Sequence, residues 1–127
     1  MHGRAPRLLE LYRGVFLAGE AESAWLLVAR DRLTMQLRRF ILRLGEHWER
    51  AGRWAEAAQL YERGVELDPL AETFYRRLME CLRQQGQHVE AIEVYLRCRK
   101  MLSVVLGVKP APETEALYRK AVAAAQR

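Results

Sequence analysis

The stretch Ala51–Leu70, AGRWAEAAQLYERGVELDPL, is repeated in skeleton by Gln85–Val104, QGQHVEAIEVYLRCRKMLSV. Gly52 answers to Gly86, Glu56 to Glu90, Ala57 to Ala91 and Tyr61 to Tyr95, each 34 residues on, and upstream Leu44 answers to Leu78 in the same register. Chance supplies one such pair; a whole register of them points to a duplicated structural unit. The residue types say how the unit packs. A small residue at Ala57 and Ala91 suits two helices that approach closely. Tyr61 and Tyr95 are expected to fill the wedge between units, and Gly52 and Gly86 supply the left-handed backbone of a tight reversal.

Working outward, a chain of 127 residues is sized for one domain, and half of it is apolar. There is no Asn and only four Pro, so the turns an all-β domain needs are missing. No apolar run is long enough to span a bilayer, and no secretory leader is visible at the N-terminus. Cys81 and Cys98 sit inside helical patterns without metal-ligand spacing to His2, His47 or His88, which suits buried thiols in a reducing cytoplasm. The net charge of +5 is almost wholly arginine, since Lys100, Lys109 and Lys120 are the only lysines. A basic surface suits acidic partners, but 16 acidic residues interleaved with the basic ones weaken that signal.

About six helices are expected. A short one opens at Pro6 and ends at Gly14; GVFLAGEAES then reads as a loop, with Ser23 as the cap of the next helix. From Trp25 to Ala51 a long helix gathers Leu26, Ala29, Leu33, Leu37, Phe40, Ile41, Leu44, Trp48 and Ala51 on one face. Arg32, Arg39, Arg43 and Arg50 form a basic strip opposite, a candidate contact for phosphates or an acidic protein, or simply a solvated face. Arg30 falls among the apolar positions and calls for a carboxylate partner. Further helices are read from Trp54 to Leu67, from the Asp68-Pro69 cap to Gln84, from His88 to Leu106 with Gly107 closing it, and from Pro112 onward. Trp25 and Trp48 read as packing residues and Trp54 as the best exposed aromatic contact.

The 34-residue skeleton resembles the tetratricopeptide repeat. Ile41, Leu44, Gly45, Trp48, Ala57, Tyr61, Gly64 and Pro69 match one unit; Tyr75, Leu78, Leu82, Ala91, Tyr95 and Cys98 match the next, with Met79 and Ser103 departing from it. The resemblance implies an all-α, right-handed superhelix of antiparallel helix pairs. Carried over by position, it lines a candidate protein-binding groove with Arg39, Leu42, Glu46, Glu49, Thr73, Arg76, Glu80 and Arg83. A solvated face, or one filled by the C-terminal helix, is the bland alternative.

The flanks narrow the family. Leu11-Tyr12-Arg13-Gly14, Trp25 with Arg30, Asp68-Pro69-Leu70-Ala71-Glu72, and Leu106-Gly107-Val108 followed by Pro110 and Glu113 are similar to the bacterial transcriptional activation domain. The resemblance covers nearly the whole chain as a single domain, 1–127, with residues 1–5 expected to be disordered or vector-derived. One departure is Ala111, where the family often has a serine that caps the last helix. The resemblance implies a non-enzymatic cytoplasmic module without a cofactor or small-molecule substrate. Its partners would be its own DNA-binding domain, a second copy or RNA polymerase, and DNA would be reached only through a domain of the parent protein that is not in this chain. The residues agree, for they contain no nucleophile motif, phosphate loop or metal cluster. The alternative is a generic tetratricopeptide adaptor gripping a peptide. Such adaptors clamp a terminal carboxylate with asparagine, where this chain has Arg43 and Arg77.

Overall fold

The computed structural model describes residues 5–127, and side chains from Gly19 onward. Among the described residues five α-helices follow one another: α1 (Ala5–Arg50), α2 (Trp54–Leu67), α3 (Glu72–Gln84), α4 (His88–Met101) and α5 (Pro112–Ala125). A π-helical turn, Leu102–Leu106, extends α4. No strand occurs among the described residues. Two compact units divide the chain, Met1–Gln36 and Leu37–Arg127, and the second holds the repeats.

The repeat register is visible in backbone hydrogen bonds. At the first turn Gly52 N–H donates to the Glu49 carbonyl and Arg53 N–H to that of Trp48, at 3.0 and 2.8 Å. At the second, Gly86 N–H donates to Arg83 and Gln87 N–H to Leu82, at 2.9 and 2.8 Å. Both glycines have positive φ, 73° and 77°, a region that side-chain-bearing residues enter only with strain.

Three boundaries differ from the sequence expectation. The loop expected over GVFLAGEAES is part of α1, and Ser23 lies inside that helix rather than at its start. No proline falls there, Ala18, Glu20, Ala21 and Glu22 are good helix formers, and Gly14 and Gly19 cost only about 1 kcal/mol each. That merger leaves five α-helices in place of about six. The third helix begins at Glu72, because Asp68 closes α2 by donating its N–H to the Gly64 carbonyl at 2.9 Å. Asp68 and Pro69 then open a turn completed by Ala71 N–H to the Asp68 carbonyl, 3.1 Å, a use of Asp-Pro that competes with helix initiation. Finally, the expected helix to Leu106 changes its winding at Leu102 and closes at Gly107, φ 66°.

In the unit from Leu37, α2 packs on α3, α3 on α4, and α5 on both α4 and α3. Ala57, Tyr61, Met79, Cys81, Ala91 and Cys98 at its centre are fully buried. Glycines set two of the close approaches. A β-carbon at Gly45 would clash with the hydroxyl end of Tyr61, and one at Gly64 would come within 2.7 Å of the Phe74 ring. Of the expected apolar face on α1, Ile41 is buried and Leu44 and Trp48 are half-buried; within this unit Leu37, Phe40 and Ala51 are exposed. In the unit ending at Gln36, Trp25, Leu26 and Leu33 are exposed.

Candidate functional site

The eight groove positions fall into two ionic nodes and some outliers. In the first node Glu49 accepts the Tyr61 hydroxyl and the Arg77 Nη1 at 3.0 Å, while Arg77 Nη2 reaches Glu46 at 3.3 Å. Burial is the largest single influence and opposes the Arg77 charge, but the combined pull of Glu49, Tyr61 and Glu46 outweighs it and holds the guanidinium above its usual range. The Tyr61 hydroxyl is raised by burial first and by Glu49 second. Both effects keep the node in one state, with a charged arginine and a neutral phenol.

The second node joins α3 to α5. Arg76 donates to Glu72 at 3.3 Å and to the Thr114 hydroxyl at 3.2 Å, and lies 3.9 Å from Glu113. Thr114 is fully buried and donates to Glu72 at 2.6 Å. Glu72 also accepts the Ala111 backbone N–H at 3.0 Å. A carboxylate from another helix therefore sits at the start of α5, where Ala111 has no side-chain oxygen to offer. Thr73 takes a longer contact from Arg76, 3.4 Å.

Glu80 and Arg83 pair with each other at 2.6 Å, and Glu80 also takes Gln84 at 2.9 Å. Leu42 packs partly buried against the core, and Arg39 is exposed. Sequence reasoning did not find the partners that organise these nodes: Arg77, Tyr61, Glu72 and Thr114. Tyr61 carried a usable signal, because a tyrosine kept through a repeat has a hydroxyl that must bond somewhere. Glu72 and Thr114 carried none, being 42 residues apart.

Within the unit from Leu37, the basic positions Arg39, Arg43 and Arg50 are exposed, and Arg50 comes only within 3.9 Å of Glu46. The neighbouring Arg38 makes the defined pair, 3.1 Å to Asp68. Arg32 and Arg30 of the other unit are exposed, and among the described residues Arg30 has no carboxylate partner of the kind expected for it. Trp54, expected to be an exposed aromatic, packs partly buried against the core, whereas Trp25, expected to pack, is 67% exposed. Trp48 lies edge-on to His47 and under Arg53.

Cys81 and Cys98 are buried, and burial pushes each thiol up to about 12, so both stay protonated at neutral pH. Among the described residues no group of three His, Cys, Asp or Glu side chains is placed to hold a metal ion. No helix among them is long and apolar enough to cross a membrane.

An all-α unit whose helices are tied together by Glu49–Arg77 and Glu72–Thr114 is a helical scaffold. Comparison with known families gives that scaffold a place. The sequence model of the bacterial transcriptional activator domain matches residues 4–121, and the chain belongs to that family. No curated protein and no solved structure matched it.

Proposed function

We propose that the chain is the interaction and effector module of a bacterial transcription regulator, acting by contact and not by catalysis. Membership of the activator family over residues 4–121 carries this reading. In it the two 34-residue units stack as a right-handed tetratricopeptide-like superhelix, and the chain works as one module in the cytoplasm. Its partners are the parent protein's DNA-binding domain, a second copy or RNA polymerase, and DNA is reached through the parent's own domain.

The ionic nodes bear on where contact is made. Glu46, Glu49 and Arg76 already have partners within the chain, which leaves little charge free in the groove. Arg77, at a clamp position of peptide-binding adaptors, is tied to Glu49. Both facts weigh against the adaptor reading and favour contact through other surfaces.

A promoter test is direct. The chain is fused to an unrelated sequence-specific DNA-binding domain whose operator lies upstream of a weak promoter. Transcript should rise several-fold over the DNA-binding domain alone. A flat response with a folded, operator-bound fusion overturns the effector reading.

A further inference from the structure

One side of α1 is tied to the core, for Ile41 and Gly45 are buried and Gly45 lies against Tyr61 of α2. At about 100° per residue, Arg39, Arg43, His47 and Arg50 fall on the opposite side, and all four are exposed. Among the described residues Arg39 and Arg43 form no ion pair, and Arg50 comes only within 3.9 Å of Glu46. Glu46 is the one carboxylate three or four residues along α1 from any of these arginines. It turns away to α3, where Arg77 donates to it at 3.3 Å. The acid at the edge of the strip is therefore already neutralised, and the strip stays positive along its length.

The helix by itself accounts for only part of this. Its dipole favours cations in the last turn, which covers His47 and Arg50. That effect fades within one turn and does not reach Arg39 or Arg43.

The make-up of the strip selects its partner as much as its sign does. A protein contact centres on apolar anchors, and charged residues are depleted there. Here the strip's own positions are arginine and histidine, and the exposed Phe40 lies off it, turned about 100° from Arg39. Protein–DNA contacts are more polar and far more positive than protein–protein ones, and the guanidinium fork matches phosphate oxygens bidentately. Length agrees too. From Arg39 to Arg50 the helix rises about 16 Å, and duplex DNA carries a phosphate charge every ~1.7 Å of its axis, so three can be met at once.

We propose that Arg39, Arg43 and Arg50 contact phosphates of duplex DNA beside the site that the parent's own DNA-binding domain selects. Such contacts position the chain and read no sequence. Three of them are weak in isolation, about 10⁻⁴ M at physiological salt. A covalent link to a DNA-bound domain presents the duplex at an effective concentration on the order of mM, which makes that affinity sufficient.

The proposal deepens the regulator reading and rests on it, yet the two fail separately. A flat promoter response with intact duplex binding sinks the effector reading alone, and a responsive promoter without duplex binding sinks the strip alone. The test titrates the full chain into fluorescein-labelled duplexes of about 20 bp, followed by anisotropy at about 50–200 mM salt. Two unrelated sequences should bind equally, with log K falling by about 2.7 for each tenfold rise in salt, the slope of three phosphate contacts. Arg39→Gln, Arg43→Gln and Arg50→Gln should each reduce that slope by about 1 and weaken both duplexes alike. Replacing the same three with lysine should keep the slope. A control carrying Arg63→Gln, Lys109→Gln and Lys120→Gln loses equal charge from exposed positions elsewhere and should hold the slope. Thermal unfolding should not move in any of these surface variants. No binding at low salt, an equal loss of slope in the control, or a preference between the two sequences overturns the proposal. A polyglutamate peptide that binds as tightly as the duplex through the same arginines assigns the strip to an acidic protein and overturns it too.

Discussion

Tyr61 and Tyr95 occupy the same repeat position, and both are buried, yet their hydroxyls turn to opposite neighbours. Tyr61 reaches back to Glu49 on α1; Tyr95 reaches forward to Glu115 on α5 at 2.7 Å, its ring stacked on Tyr118 at 4.1 Å. The position that answers to Glu49 in the second unit is Arg83, a donor with no lone pair to offer a phenol. Ring space differs as well: Gly45 makes room for Tyr61, and its counterpart is the buried Met79. Repeat position thus settles which face of a helix is buried, while local chemistry settles the polar partner.

Exchanging the residues that differ tests this most severely. Met79→Gly should lose about 2–5 kcal/mol for the cavity and about 1 more for glycine in a helix, read as a fall in the urea midpoint. Gly45→Ala drives a methyl into the Tyr61 ring and should lose about 1–3 kcal/mol, whereas the same methyl at the exposed Gly19 should leave stability unchanged or slightly raised. Equal effects at Gly45 and Gly19 would show that the close packing of Tyr61 is not what Gly45 provides.

Alkali separates the two tyrosines more gently. Burial, reinforced by Glu115, pushes the Tyr95 hydroxyl up from 10.0 to about 12. The folded state thus favours the neutral phenol. Its stabilisation is complete below the ordinary value of 10.0, and is lost as the unfolded chain ionises first and pH climbs towards about 12. Cys81 and Cys98 are raised in the same sense, so the decline starts near their ordinary 9.0. Tyr95→Phe should lose about 1 kcal/mol at neutral pH and make the decline between pH 10 and 12 shallower in stepwise urea melts. A slope identical to that of the parent chain would remove Tyr95 from this account. The smallest expected effect is at α5: Ala111→Ser should stabilise by only a few tenths of a kcal/mol, below the ~1 kcal/mol usual for a new cap, because Glu72 already serves that helix start. A full gain in melting temperature would mean that Glu72 contributes nothing there.

Much of the fold was legible because its signals are local. Gly52 and Gly86 announce positive φ, Pro112 opens α5 where expected, and the 34-residue register foretold matched turns. The start of α3 was less legible, since Asp68-Pro69 suits a turn as well as a helix cap. Of the candidate groove, residue identities could be read but pairings could not. Glu46, Glu49, Thr73, Arg76, Glu80 and Arg83 all bond within the chain, three of them to residues 28 to 38 positions away. Side chains at that separation meet only when helices pack, and nothing in their spacing says which will meet.

By itself, then, the sequence determined the helical class, the duplicated unit and the family, because periodicity, turn glycines and small packing residues act over a few neighbours. The tertiary structure alone decided that Tyr95 bonds to α5, that Glu72 serves the start of that helix, and that Glu46 turns to Arg77 on α3. Those outcomes follow from which helices come to lie side by side, and a hydroxyl, an orphan N–H or a carboxylate finds its surroundings only after that has happened.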